Sequence, residues 1–380
     1  MHVTIDARYV ATTQSGVGMY TANLLQALAA LDTENQYTYI IREGQPVLQV
    51  GGNFQPWPTR ISFENHWIGD LWQNLYLPFR LRARQVDLFH GPAVFLPLTK
   101  LGFRTVVTIH DLVAFRFPAT IPMKYGLYMR LMIRLAVRSA DQVIAASQQT
   151  RDDLVNRLGV PAEKITVIYG GLASRFEPMR DALRLAEVRC RYGLREPYIL
   201  FVGNLEPRKN LVRLIEAFGR LKARESIPHQ LVLAGKRGWL FRPIFETVEQ
   251  LGLNREVIFT GYVPPEDLPA LYGMADLFTF PSLYEGFGLP VLEAMACGTP
   301  VVTAPTGSIP EVAGDAAWYV DPWDVEALTE GLARVLKDFE TRSKLVARGV
   351  LQAKRFSWTK TAEATLQIYL KTLRREAGSS

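Results

Sequence analysis

The chain has 380 residues, more than one ordinary hydrophobic core organises, so two domains are the natural expectation. Its 48% hydrophobic and 21% charged residues describe a soluble globular protein, and a net charge of +6 suits nucleic acid, anionic lipid or a phosphorylated ligand without choosing among them. Two distant cysteines, Cys190 and Cys297, argue against a disulfide frame or a zinc site and fit a reducing cytoplasm.

Short apolar or β-branched runs alternate with longer amphipathic stretches. The opening "MHVTIDARYV" shows no charged leader ahead of an apolar stretch, so no signal peptide is expected, and no apolar run reaches bilayer length. Strands are expected at His2–Asp6, Tyr37–Ile41, Leu88–His90, Thr105–Ile109, Gln142–Ala145 and Ile165–Ile168, with helices between several of them: Gly18–Leu31, Met123–Ser139 and Ser147–Leu158. The rhythm resumes with strands at Tyr198–Val202, Gln230–Leu233, Val257–Thr260, Leu277–Phe280 and Pro300–Thr303. Between them lie helices at Leu211–Lys222, Phe241–Leu251, Glu266–Met274 and Val291–Ala296. Such alternation predicts α/β architecture, parallel sheets with helices on both faces. The charged stretch 173–196 reads as a linker between a first domain, 1–172, and a second, 197–358. A last helix, 359–375, is expected to pack back on the first.

Four stretches carry candidate chemistry. In "SLYEGFGLPVLEA" an apolar strand enters a glycine-bearing turn and a helix leaves it, with Pro290 suited to the first helical turn. Amides around Gly288, Leu289 and Val291 would carry the positive end of the helix dipole, an anion site. Glu285 and Glu293 flank it; they read either as groups for sugar hydroxyls or as a solvated loop acid and a first-turn helix acid. In "GNLEPRKNL" a strand ends at Gly203, and Arg208 and Lys209 precede a helix, where they either bind a diphosphate or form an ordinary basic turn. In "TIHDLVAFRF" His110 ends a strand and suits acid–base work, a sugar hydroxyl, or a structural role, with His90 ending a neighbouring strand as its rival. In "SGVGMYT" Gly16 and Gly18 allow close backbone approach, although Thr21 occupies the third glycine position of a dinucleotide fingerprint.

Jointly these stretches resemble the retaining glycosyltransferases of family 4, which have the GT-B fold: two doubly wound Rossmann-like domains facing each other across a cleft. The resemblance runs from "GVGMYT" to "FSW", and its most specific part is Glu285 and Glu293 with "GFGLPVL" between them, followed by "GTPVV". The wording "EPRKN" and "AGKRGW" is most similar to bacterial polysaccharide mannosyltransferases that use GDP-mannose; a UDP-sugar is the alternative donor. The resemblance implies a hexosyltransferase acting on a saccharide or lipid-linked acceptor, with the nucleotide sugar as substrate, no cofactor and no metal. Glu293 would hold the ribose, and Glu285 and His110 would act at the transferred sugar. Amides at Phe287, Gly288 and Leu289 would contact sugar and phosphates. Lys209 and Arg208 would neutralise the diphosphate, approached also by Gly16 and Gly18, and Val263 would lie near the base. Many relatives carry an arginine where this chain has Asn204, a role that Arg208 would assume.

Developing negative charge on the leaving diphosphate is what donors at 208–209 and 287–289 would stabilise. Same-face attack, with the phosphate accepting the acceptor's proton, is the implied mechanism, so Glu285 is not read as a nucleophile. Acceptor choice is assigned to loops at Phe54–Trp72 and Phe115–Tyr128. Arg130, Arg134 and Arg138 form one basic stripe on an otherwise apolar helix, and Arg80, Arg82 and Arg84 lie nearby in "PFRLRARQ". The stripe reads either as a solvated face or as a contact with anionic lipid on the inner face of the plasma membrane. A nicotinamide oxidoreductase is disfavoured by the missing glycine and the paired glutamates, and a non-catalytic carbohydrate-binding protein by the joint presence of Glu285, Lys209 and His110. No basic stripe with interleaved stacking aromatics points to nucleic acid.

Overall fold

The structure is a computed structural model that describes residues 1–12, 16–45, 48, 50–61 and 66–374. Two units each surround their own parallel sheet. The first unit comprises Met1–Leu112, Leu127–Gly171 and the chain from Ser357. Its strands are β1 (His2–Asp6), β2 (Gln36–Arg42), β3 (Phe54–Thr59), β4 (Leu88–Gly91), β5 (Arg104–Ile109), β6 (Gln142–Ala145) and β7 (Ile165–Val167), in the order β3-β2-β1-β4-β5-β6-β7. Consecutive residues Leu88 and Phe89, Val106 and Val107, and Val143 and Ile144 all have no exposure, so both faces of these strands are covered, as a parallel sheet requires.

The edge strand β3, "FQPWPT", corrects the expectation of a loop over Phe54–Trp72, four residues of which (62–65) lie outside the described ones. Pro56 and Pro58 hide it from sequence reasoning, and an edge is where a strand tolerates proline. The helix Gly16–Leu31 packs along the last helix, Trp358–Arg374, through a core that includes Leu24, Leu25, Leu28, Ala362, Ile368 and Tyr369. The final residue of the expected 359–375 span lies outside the described residues.

The second unit comprises Val113–Gly126 and Leu172–Phe356. Its strands are β8 (Tyr198–Val202), β9 (Gln230–Ala234), β10 (Val257–Gly261), β11 (Leu277–Phe280), β12 (Val301–Thr303) and β13 (Trp318–Tyr319), ordered β10-β9-β8-β11-β12-β13. Counted within the unit this is the doubly wound order 3-2-1-4-5-6, whose reversal between β8 and β11 opens the crevice where such sheets bind ligands. The stretch read as a linker contains a helix, Ala182–Arg191, started by the Asp181 carboxylate accepting from the amides of Leu183 and Arg184. That helix docks through Arg184 and Arg191 onto Asp267, which has no exposure and also accepts from the Tyr192 hydroxyl at 2.7 Å. No helix among the described residues is long and apolar enough to cross a membrane.

Candidate active site

The strand order of the second unit brings the loops after β8 and β11 together, although they are remote in sequence. After β8 the chain makes a 3-10 turn, Pro207–Lys209, and Asn210 adopts a left-handed φ of 60° before the helix Leu211–Glu225. The Asn210 side-chain amide donates to the carbonyls of Pro281 at 3.2 Å and Pro322 at 2.6 Å, and the Leu283 amide donates to the Arg208 carbonyl at 2.9 Å. These bonds lock the two loops side by side at the carboxyl edge.

Within that frame four charges meet. Lys209 Nζ lies 2.6 Å from Glu285 Oε1, and Arg208 Nη1 lies 2.8 Å from the same oxygen. Arg208 also donates to the Tyr284 carbonyl and to Glu206, both at 2.7 Å. Lys209, Glu285 and Glu206 are buried, and Lys209 Nζ sits 4.7 Å above the Phe280 ring. Burial pushes the Glu285 carboxyl up, but the Arg208 guanidinium and the Lys209 ammonium outweigh it and hold the group at about 2. Burial, then the neighbouring Arg208 charge, pushes Lys209 below its ordinary value, with Glu285 and Glu206 pulling it back. Glu285 is therefore a fixed anion shared by two cations. The sequence assigns Glu285 to the sugar and the two cations to the diphosphate without pairing them; the structure joins all three.

The turn that follows is equally constrained. Gly288 has φ +98° and caps the helix Leu289–Ala296; a Cβ there would come within 2.6 Å of the Ile309 side chain. Among the described residues the Gly288 and Leu289 amides have no hydrogen-bond partner, whereas the Val291 amide is used, donating to the Gly288 carbonyl at 3.1 Å. The Glu285 carbonyl accepts from both the amide and the hydroxyl of Ser308 at 3.1 Å. Gly307, at φ +58°, lies so close that a Cβ would meet the Glu285 carbonyl oxygen at 2.4 Å. Phe287 is half-buried edge-on to Phe356, and Val263 is buried in the loop after β10.

Glu293 lies in the same helix and is half-buried. Its Oε2 accepts from the Tyr272 hydroxyl at 2.9 Å. Burial raises its pKa to about 7, against the pull of Tyr272 and Arg175. Two carboxylates eight positions apart thus have opposite characters, one held ionised by paired cations and one titrating near neutrality.

The remaining expected residues lie in the first unit. His110 Nε2 is 2.7 Å from the Pro92 carbonyl, which only accepts, so Nε2 carries the proton and Nδ1 keeps its lone pair. Burial pushes its pKa down, with the Pro92 carbonyl and Asp111 opposing, so the ring is neutral near pH 7. His90 has no exposure and uses both nitrogens, toward the Tyr369 hydroxyl at 2.6 Å and the Thr108 hydroxyl at 2.9 Å; burial holds its pKa at about 3. It is a strut for the last helix, which leaves His110 as the histidine able to accept from a ligand. Gly16 and Gly18 open the Gly16–Leu31 helix, Gly16 exposed with open space beside it and Gly18 buried.

Sequence reasoning passed over Glu206, Asn210, Tyr272 and the Gly307–Ser308 pair. Only Glu206 carried a local signal, an acid two residues ahead of an Arg-Lys pair. The others act through contacts that strand order creates.

Two Rossmann-ordered sheets, one bearing a buried cation–carboxylate cluster and unpartnered helix-terminal amides at its switch point, define a GT-B protein, and the comparisons agree. Residues 191–351 match the family described as Glycosyl transferases group 1, and residues 14–174 match Glycosyltransferase Family 4. The chain is 37% identical over 290 residues to O-antigen chain mannosyltransferase B of Escherichia coli, covering 76% of this chain and 75% of that one. It is 31% identical over 299 residues to the serotype-specific mannosyltransferase WbdA of Escherichia coli, covering 76% of this chain but only 36% of that longer one. The sucrose-phosphate synthase of Thermosynechococcus elongatus superposes with a TM-score of 0.79 over 98% of both chains at 23% identity, a likeness of fold. The chain belongs to the family 4, group 1 glycosyltransferases.

Proposed function

We propose that this glycosyltransferase moves mannose from GDP-mannose to a growing bacterial polysaccharide, or its lipid-linked precursor, with retention of configuration. The observation that carries this reading is the buried Lys209–Arg208–Glu285 cluster beside the unpartnered amides of Gly288 and Leu289. In this reading the diphosphate sits against those amides and takes over Arg208 and Lys209, so protein cations and the helix terminus meet the leaving charge without a divalent metal. Glu285, released from its partners, faces the sugar on which positive charge develops. Glu293 accepts from the ribose hydroxyls, Phe287 contacts the sugar, and Val263 borders the base. In the first unit His110 offers Nδ1 to a sugar hydroxyl, and Gly16 and Gly18 leave room for phosphate. The choice of mannose rests on the two mannosyltransferase relatives.

The test is a thermal-shift panel of GDP, UDP and ADP with their sugars, followed by transfer to a mannose-terminated acceptor and anomeric analysis of the product. GDP and GDP-mannose are expected to raise the melting temperature, and the α-linkage of the donor to persist. Stabilisation by UDP-sugars alone would replace the donor, and an inverted product would end the same-face mechanism.

A contact with the inner face of the plasma membrane belongs to the same reading. Arg134 and Arg138 are exposed, as are Leu127 and Leu131 on the same helix, Met123–Ser139. Tyr128 of that helix donates to Asp70, next to the exposed Ile68, Leu71, Leu75 and Phe79. Apolar side chains beside arginines suit an anionic bilayer surface. Flotation with phosphatidylglycerol vesicles at low salt should carry the protein up, and absence of flotation would refute the contact.

A further inference from the structure

A cavity of about 340 Å3 opens in the first unit, where β2 and β3 end. Its lining includes the aromatic residues Trp57, Trp72 and Tyr76, and the polar residues Glu43 and Arg60, paired at 2.9 Å, beside Thr59. The volume lies at the lower end of the roughly 300–1,000 Å3 usual for small-molecule sites. The location follows the rule for parallel sheets, since Glu43 directly follows β2 and Thr59 ends β3, both at the carboxyl edge.

Two of the three lining aromatics are backed by arginines. Arg84 stacks on Trp57 at 4.4 Å, and Arg8 on Trp72 at 4.7 Å. Arg8 is itself clamped in the interior, paired with Asp6 at 2.7 Å and donating to Gln73 at 2.9 Å. Gln73 lies in the π-helical turn Trp72–Tyr76, and that turn presents Trp72 and Tyr76 together. Arg60 and Glu43 are exposed, and an ion pair between exposed side chains is worth about 1 kcal/mol at most, so both can turn to a ligand at little cost.

We infer that this cavity is a binding site for the saccharide chain of the acceptor, a holding site separate from the point of transfer. A sugar ring has an apolar C–H face that suits the aromatic lining and a rim of hydroxyls that suits a carboxylate beside a guanidinium. A phosphorylated ligand is disfavoured because Glu43 neutralises Arg60, and an acyl chain because charged groups share the lining. His110 directly follows β5, four strand positions from β3, or about 19 Å along the sheet edge at the usual spacing. A single sugar cannot span that distance, so the site is reserved for acceptors several residues long.

The inference rests on the glycosyltransferase reading, and its test keeps the two apart. Tyr76→Ala and Arg60→Ala alter exposed side chains that the interior does not need. Transfer is measured to methyl mannoside and to α-linked mannotetraose, and tryptophan emission is titrated with mannotetraose alone. Both variants should raise KM for mannotetraose at least fivefold while kcat and the methyl mannoside KM stay within twofold of wild type. Emission of the wild type should respond to mannotetraose, and that of Tyr76→Ala at least fivefold more weakly. Equal kinetics of wild type and variants on the long acceptor, with transfer proceeding, would overturn the holding site. If no sugar nucleotide supports transfer but the emission response survives in wild type and is lost in Tyr76→Ala, the saccharide site stands and the transferase reading falls.

Discussion

Replacing Glu285 by Gln probes the candidate active site most directly, because the side chain keeps its shape and loses its charge. Its carboxyl is held at about 2 against an ordinary 4.5, which at about 1.4 kcal/mol per tenfold favours the ionised form by roughly 3 kcal/mol. A depressed acid adds stability that is present above its unfolded value and is lost as pH falls from about 4.5 toward 2. At pH 7 the variant should therefore lose about 3 kcal/mol, less what Lys209 recovers by giving up its proton more easily. For a unit of this size, each kcal/mol moves the melting temperature by about 2–4 °C, so a drop of about 6–12 °C is expected. By pH 3 the gap should be about half as large. Calorimetry between pH 7 and pH 3, with transfer assayed on the same preparations, gives the answer. Transfer should fall at least a hundredfold with the fold retained. A melting-temperature gap under 1 °C at pH 7, or one that does not shrink at pH 3, would refute the shared-anion cluster.

Three further outcomes follow from neighbouring residues. Because burial places Glu293 near 7, the donor KM should fall about tenfold from pH 6 to pH 8 as the carboxylate forms; a flat wild-type profile, or one unchanged in Glu293→Gln, would remove Glu293 from the ribose. Gly307→Ala puts a Cβ 2.4 Å from the Glu285 carbonyl oxygen at φ +58°. It should cost at least about 2 kcal/mol and lower transfer more than tenfold, and denaturant melts matching wild type would show that the backbone there is not confined. Asp267→Ala removes the carboxylate that receives Arg184, Arg191 and Tyr192. Amide exchange in the helix Ala182–Arg191 should accelerate at least tenfold, and unaltered exchange would mean that other contacts hold this helix.

Strands covered on both faces were the most legible parts of the fold. Gln142–Ala145, Tyr198–Val202 and Leu277–Phe280 stand where their apolar runs put them. Elements with a thin apolar signal were missed. The edge strand β3 hides behind two prolines, β13 is two residues long, and the helix Ala182–Arg191 buries Val188 alone among ten residues. The helices Val325–Lys337 and Phe339–Ala353, each started by an aspartate cap, were passed over as well. In the site, Arg208, Lys209 and Glu285 were each picked out by their own turns, but their meeting was not legible. The Lys209–Glu285 bond joins residues 76 positions apart, and it forms because β8 and β11 are neighbours, a fact of strand order rather than of local pattern.

That meeting changes what donor affinity measures. Arg208 and Lys209 do not wait as open charges, since both already hold Glu285 at 2.8 and 2.6 Å. In the proposed reading a diphosphate must compete with an internal carboxylate for the same donors, so its binding free energy is a difference between two charge-assisted arrangements. The competition has a use, because a donor that displaces Glu285 leaves an anion without partners beside the sugar about to gain positive charge. It also makes an expectation opposite to that of a damaged site. Glu285→Gln should bind GDP more tightly than wild type, by at least threefold in calorimetry at pH 7, while failing to transfer, since Arg208 stays charged and has lost its rival acceptor. Equal or weaker GDP binding by a folded Glu285→Gln protein would show that the two cations are not shared between carboxylate and phosphate.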